Sequence, residues 1–157
     1  MQKVGDKMGV YFSAGSMSTD ASIALGTPWP SFIGFIDKII LPADSTAVVD
    51  IYSNVSGSAP AQVDSLFVTT DNSADRLLSI WVHDGTASIL IGTRTVPDLS
   101  GTNGTDLRVN LIAPLGMVQA DGHSVIWLPV GYKLQASLDV ALAADKKMYI
   151  YGRVNIF

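Results

Sequence analysis

The strongest constraint in this chain is a two-residue rhythm near its C-terminus. In residues 132–142 (YKLQASLDVAL), Tyr132, Leu134, Ala136, Leu138, Val140 and Leu142 fall on one side, and Lys133, Gln135, Ser137 and Asp139 on the other. Side chains of an extended strand point alternately to opposite faces, so this spacing predicts a β-strand with one face in a core and one in water. After the turn residues Ala143-Ala144-Asp145 the rhythm resumes over residues 147–157, with Met148, Ile150, Val154 and Ile156 set against Tyr149, Tyr151, Arg153 and Asn155. Two such runs joined by a short connection predict an antiparallel hairpin. Because the second run continues to Phe157, the C-terminus is expected to be a paired strand and not a tail.

The same reading upstream predicts strands over residues 31–41 (SFIGFIDKIIL), 46–53, 62–70, 76–83 (RLLSIWVH), 87–96 (ASILIGTRTV), 107–112 and 124–128. Turn-forming clusters separate them: residues 42–45 (PADS), 56–60 (SGSAP), 71–73 (DNS), Asp84-Gly85, the long loop 97–106, residues 121–123 (DGH) and 129–131 (PVG). Asp84-Gly85 is the clearest hairpin signal, since glycine accepts the positive φ that tight turns require. Leu77, Leu78, Ile80, Trp81 and Val82 are apolar on both faces, which predicts a central strand covered on each side. About nine short strands spaced by turns, with no helical period, give an all-β fold: an antiparallel two-sheet β-sandwich, jelly-roll-like.

Residues 1–30 differ in kind. They scatter Met8, Val10, Tyr11, Phe12, Met17, Ile23, Leu25 and Trp29 among Gly, Ser and Thr, and end in Pro28-Trp29-Pro30. The expected organisation is therefore an extended N-terminal arm over residues 1–30 and a β-sandwich domain over residues 31–157, the arm docking its spaced side chains on the body or on another chain. An ordinary first strand preceded by a frayed end is the alternative. Candidate partner-contact residues are Met8, Val10, Tyr11, Phe12 and Trp29 on the arm, and Tyr149 and Tyr151 on the less apolar face of the last strand.

Composition narrows the function. At 157 residues the chain is one domain, large enough to enclose a core without cross-links. Only 15% of residues are charged, 48% are apolar, and mean hydropathy is +0.33, which excludes intrinsic disorder and favours surface buried against a partner. There is no cysteine, hence no disulfide and no thiolate chemistry. Net charge is −4, and apart from Lys146-Lys147 the basic residues are scattered singly, so no nucleic-acid partner is expected. The first 20 residues lack the apolar core of a signal peptide, and no run approaches the ~18 apolar residues of a membrane helix.

Catalytic parts are sparse. The two histidines, His83 beside Asp84-Gly85 and His123 in an Asp-Gly-His turn, have no Gly-x-Ser-x-Gly nucleophile elbow to accompany them, and solvated turn histidines are the preferred reading. The chain contains no Glu, and most Asp residues lie in turns, which disfavours a paired-carboxylate hydrolase. Residues 98–106 (DLSGTNGTD) are rich in oxygen but miss the spacing of a calcium loop and read as a plain flexible loop. Asn54-Val55-Ser56 and Asn103-Gly104-Thr105 match the glycosylation triplet at the level expected by chance. Trp29, Trp81, Trp127, Tyr149 and Tyr151 suggest a sugar-binding platform as an alternative. For Trp81 and Trp127, which sit inside apolar strands, core packing is the stronger reading. No cofactor, no metal and no enzymatic activity are expected.

From Arg76 onward, RLLSIWVHDG, ILIGTRTVPDLSGTNGTDLRVNLI and IWLPVGYKLQASLDVALAADKKMYIYGRV together resemble a group of small tailed-phage and prophage virion proteins, over about half of the chain. In that group an apolar strand with a Trp precedes a Leu-Gly-Thr-x-Thr-Val-Pro-like strand, a Gly/Thr-rich loop, Val-Asn-Leu-Leu, a Leu-Pro-x-Gly-Tyr strand and a final hairpin. The resemblance implies a jelly-roll-like head decoration or cement protein without chemistry of its own. It implies a homo-oligomer, a trimer by analogy with local three-fold positions of a shell, with the major capsid protein as partner. It also implies a place on the capsid surface after synthesis in the bacterial cytoplasm. A tail, baseplate or fibre-associated component and a carbohydrate-binding module are the competing readings.

Overall fold

The computed structural model describes residues 32–54, 59–103 and 105–157. Ten strands run through them: β1 (Phe32–Ile40), β2 (Val49–Ser53), β3 (Ala61–Thr70), β4 (Arg76–His83), β5 (Ser88–Val96), β6 (Val109–Asn110), β7 (Met117–Val118), β8 (Ser124–Leu128), β9 (Lys133–Leu138) and β10 (Met148–Ile156). One short α-helix, α1 (Ile112–Leu115), and a 3-10 turn at Pro42–Asp44 interrupt them.

The strands form two antiparallel sheets. One has the order β1-β10-β3-β8-β7, with β6 also pairing β3, and the other has the order β2-β9-β4-β5. With β1, β3, β8 and β10 in one sheet and β2, β4, β5 and β9 in the other, the chain crosses repeatedly between layers, as in a jelly roll. The inward faces enclose one core in which Val63, Leu66, Val68, Leu78, Ile80, Leu134, Met148 and Ile150 are wholly buried. At about 25 cal/mol per Å² of apolar surface, each such branched side chain contributes roughly 1.5–3 kcal/mol, so this interior dominates stability. β10 is sandwiched between β1 and β3, and the chain therefore ends in a paired strand, as the alternation to Phe157 predicts.

Two expectations need correction. β9 and β10 do not form a hairpin: β9 pairs β2 and β4, while β10 pairs β1 and β3. The alternation registers which face is apolar but is blind to which sheet receives it. The connecting residues 139–147 cross the end of the sandwich and are tied to the β3–β4 link and the start of β4. There Asn72 Oδ1 accepts from the Ala143 amide at 3.1 Å, Asp71 Oδ1 from the Lys147 amide at 2.6 Å, and Asp139 Oδ1 from the Leu77 amide at 2.9 Å. Second, the strand predicted over residues 107–112 shrinks to Val109–Asn110 and gives way to α1. Asn110 Oδ1 accepts from the amides of Ile112 (2.9 Å) and Ala113 (3.3 Å), satisfying amide donors at the start of the helix that have no partner within it.

The β4–β5 hairpin forms where Asp84-Gly85 predicts it, through a four-residue connection. Gly85 takes φ +97°, and Asp84 Oδ1 accepts from the amides of Thr86 and Ala87, both at 2.8 Å. These bonds also hold the Asp84 carboxyl below its ordinary pKa, the Ala87 amide being the larger influence. β4 lies between β9 and β5, the central position its two apolar faces imply. In the other sheet Gly152 sits where a Cβ would come within 2.1 Å of the Ser65 carbonyl oxygen, next to the β-bulge at Arg153/Val154. Only glycine lets these backbones approach so closely.

Candidate functional site

The outer face of the six-stranded sheet is built from the odd-numbered residues of β1 and β10. On β1 they are Ile33, Phe35, Asp37 and Ile39, all exposed, with Phe35 at 77%, Ile33 at 47% and Ile39 at 42%. The register sets Phe35 opposite Arg153, Asp37 opposite Tyr151 and Ile39 opposite Tyr149. Tyr151 lies in turn opposite Phe67 of β3, with ring centroids 5.9 Å apart, and the Arg108 guanidinium sits 4.1 Å over the Phe67 ring. Such a cation over a ring is held by the ring quadrupole, so an aromatic pair with one charge clamped on it bridges β10 and β3.

Beside that pair, Arg153 Nε donates to both oxygens of Asp64 at 3.0 and 2.9 Å, and Asn155 Nδ2 donates to Asp64 Oδ2 at 3.0 Å. The hydrogen bond to Asp64 raises the Arg153 pKa further above its already high value, so the guanidinium stays charged. Further across the sheet Trp127 is 40% exposed and packs against Phe157 at a centroid distance of 5.5 Å. The face is thus largely apolar at its β1 edge, with Ile33, Phe35 and Ile39 around Asp37, aromatic in the middle, and ion-paired where β10 meets β3.

Tyr149 and Tyr151 occupy this face as the alternation predicts, both half-buried. Met8, Val10, Tyr11, Phe12 and Trp29 lie outside the described residues. Trp81 and Trp127 do not take the core positions expected of them. Their neighbours Leu78, Ile80, Ile126 and Leu128 fill the interior, and parity turns both indoles outward. Ile33, Phe35 and Ile39 were not singled out from the sequence, although the signal is present: SFIGFIDKIIL carries large apolar residues on both parities, more than one buried face can use.

The outer face of the four-stranded sheet is different. Lys133 Nζ donates to Asp50 Oδ2 at 2.7 Å, Gln135 Nε2 to Asp50 Oδ1 at 2.6 Å, Ser88 Oγ to Gln135 Oε1 at 2.6 Å, and Trp81 Nε1 to Ser137 Oγ at 2.9 Å. Gln135 and Ser137 are each only 8% exposed, so the polar side of β9 is covered by its neighbours and is not the water-facing side expected from alternation alone. Hydrogen bonding from Gln135 first, then from Lys133, holds the Asp50 carboxyl below its ordinary pKa. Every polar group in this chain of contacts is engaged by another.

The candidate chemistry is similarly occupied. His83 Nδ1 accepts from the Gly85 amide at 3.0 Å within the β4–β5 turn, and His123 is exposed in the turn before β8. Asn54 is 2% exposed, and its Nδ2 donates to the carbonyls of Leu128 (3.0 Å), Ala59 (3.1 Å) and Pro129 (3.2 Å), which makes it a structural clamp and no glycan acceptor. In the loop over residues 98–106, expected to be plain and flexible, several of the described residues are engaged in hydrogen bonds. Ser100 is fully buried, Thr102 Oγ1 donates to the Thr70 carbonyl at 3.0 Å, and Asn103 Oδ1 accepts from the amides of Thr105 and Asp106. Among the described residues no three His or Asp side chains gather in a metal-binding group, and no helix is long and apolar enough to cross a membrane.

No protein-family model matches this chain, and no curated protein matches it. Among solved structures it is similar to the Drosophila NLP-core, whose crystal structure was described for pentamer formation and histone binding. The likeness covers 80% of this chain and 98% of that one, at 14% identity and a TM-score of 0.38.

Proposed function

We propose that this protein is a non-enzymatic structural component of a tailed-phage virion, a decoration or cement protein that stabilises the head through subunit interfaces. The observation that carries this reading is the outer face of the six-stranded sheet, where Ile33, Phe35 and Ile39 remain exposed beside Tyr149 and Tyr151. An apolar strip of this kind is suited to being covered by a partner, whereas Asp50, Lys133, Gln135 and Ser88 on the other outer face already bond one another. A protein that cements a shell binds many equivalent positions, and for that task interface area and symmetry matter more than a pocket. The resemblance of residues 76–157 to small virion proteins supplies the biological setting: the major capsid protein as partner, a homo-oligomer, and a place on the capsid surface.

The test is to purify virions and locate the protein by labelled electron microscopy. Density on the capsid surface supports the proposal, and its absence there, or density confined to the tail, overturns it. A second measurement addresses the arm. Removal of residues 1–30 is expected to leave a folded sandwich, checked by circular dichroism, that associates more weakly with particles.

A further inference from the structure

Among the described residues β1 is an edge strand. It pairs β10 without a bulge over nine residues, and among the described residues no strand lies on its other side. A long edge with exposed apolar side chains is a template for another strand. The charges on β1, Asp37 on the outward parity and Lys38 on the inward one, disfavour an indiscriminate partner and select a matching one.

The match is in the chain itself. When the N-terminal residues are laid antiparallel beside β1, one register places Asp6 opposite Lys38 and Lys7 opposite Asp37. That same register sets Met8 opposite Ile36 and Val10 opposite Gly34 on the inward side, and Tyr11 opposite Ile33 on the outward side. Gly9 then faces Phe35, leaving room for a ring that is 77% exposed. Sliding the segment by two residues either way keeps the faces but sets Asp6 against Ile36 or Ile40, and destroys both charge matches. We infer that residues 6–12 of one copy of this chain add as a strand to the free edge of β1 in a second copy.

The intervening stretch favours a neighbour over the chain's own edge. Hairpins use about 2–5 connecting residues, and structureless connections beyond about 12–15 are uncommon. Residues 13–31 are far longer than a hairpin needs, and the sequence preference of residues before Pro28 and Pro30 is for extended over helical backbone. At about 3.4 Å per residue this stretch spans up to roughly 65 Å, enough to reach an adjacent subunit. The inference concerns contacts between copies and stands whether or not those copies sit on a capsid.

The chain lacks cysteine, so single-cysteine variants report cleanly. Purified Tyr11→Cys and Ile33→Cys proteins are mixed and oxidised without any particle present. A disulfide-linked heterodimer is expected, and it is lost when Ile39→Cys, similarly exposed but six residues along, replaces Ile33→Cys. Equal cross-linking of both mixtures, or none, overturns the inference. So does a Tyr11→Cys/Ile33→Cys double variant that closes its disulfide within one chain in place of linking two. Independently, Lys7→Asp is expected to lose the oligomer in light scattering and Lys7→Asp/Asp37→Lys to restore it, and an oligomer indifferent to Lys7→Asp overturns the pairing. Failure here with virion labelling intact would discard the strand exchange alone.

Discussion

The two outer faces of this sandwich grow from the same alternation and end in opposite states. On the four-stranded sheet, Asp50, Lys133, Gln135, Ser88, Trp81 and Ser137 bind one another, and the middle of the face is closed. On the six-stranded sheet, Arg153 pairs with Asp64, which Asn155 also bonds, and towards β1 the face leaves Ile33, Phe35 and Ile39 exposed around the single charge of Asp37. The contrast teaches that alternation specifies the inside of a sandwich strongly and the outside weakly. Outward positions are constrained only by their neighbours across strands, and there the middle of one sheet is knit by hydrogen bonds while the other leaves Ile33, Phe35 and Ile39 exposed.

Four changes sharpen that contrast. The largest effect belongs to the shared interior. Ile150→Ala on β10 empties a wholly buried site and is expected to cost about 2–5 kcal/mol by chemical denaturation, whereas a cost below about 1 kcal/mol would mean the sheets are not packed through this residue. Asn54→Ala comes next. It leaves the carbonyls of Leu128, Ala59 and Pro129 without their donor, an expected loss of about 1–3 kcal/mol in the same measurement.

Smaller still is the pH dependence of the closed face. The folded state holds the Asp50 carboxyl below its ordinary value of about 3.9, so the folded protein binds that proton less tightly than the unfolded chain. Its contribution is full above that value and fades as pH falls through the lower folded value. With the Asp50 and Lys133 side chains 43% and 32% exposed, screening limits the effect to about 1 kcal/mol or less. The stability gap between wild type and Asp50→Asn should therefore shrink on going from pH 6 to pH 2, and a gap that widens would reverse the assignment. The smallest change in stability is expected for Phe35→Ser on the open face, within about 0.5 kcal/mol. If that variant unfolds the protein, the strip is part of the core and not a contact surface.

Much of this architecture was legible in the sequence because burial writes a period of two. β4 is predicted to the residue, β5 and β10 to within a residue or two, and the hairpin at Asp84-Gly85 follows from backbone chemistry that is local. The outward placement of Tyr149 and Tyr151 follows from the same parity. Trp81 and Trp127 were misread because hydrophobicity was weighed above parity, though Ile80 and Leu128 beside them had already claimed the interior. The burial of Gln135 was not legible at all. It depends on Asp50 and Ser88, which are 85 and 47 residues away along the chain.

By itself the sequence determined that this chain is built of strands, where most of them begin and end, and which side chains of most strands face inward. Those are local properties, written in turn residues and in the alternation of apolar with polar positions. Only the tertiary structure decided that β9 and β10 belong to different sheets, that hydrogen bonds close the middle of one outer face while Ile33, Phe35 and Ile39 stay exposed on the other, and that β1 is an edge among the described residues. These depend on which strand meets which, and strand pairing is a long-range choice set by backbone hydrogen bonds and packing between segments that no local pattern encodes.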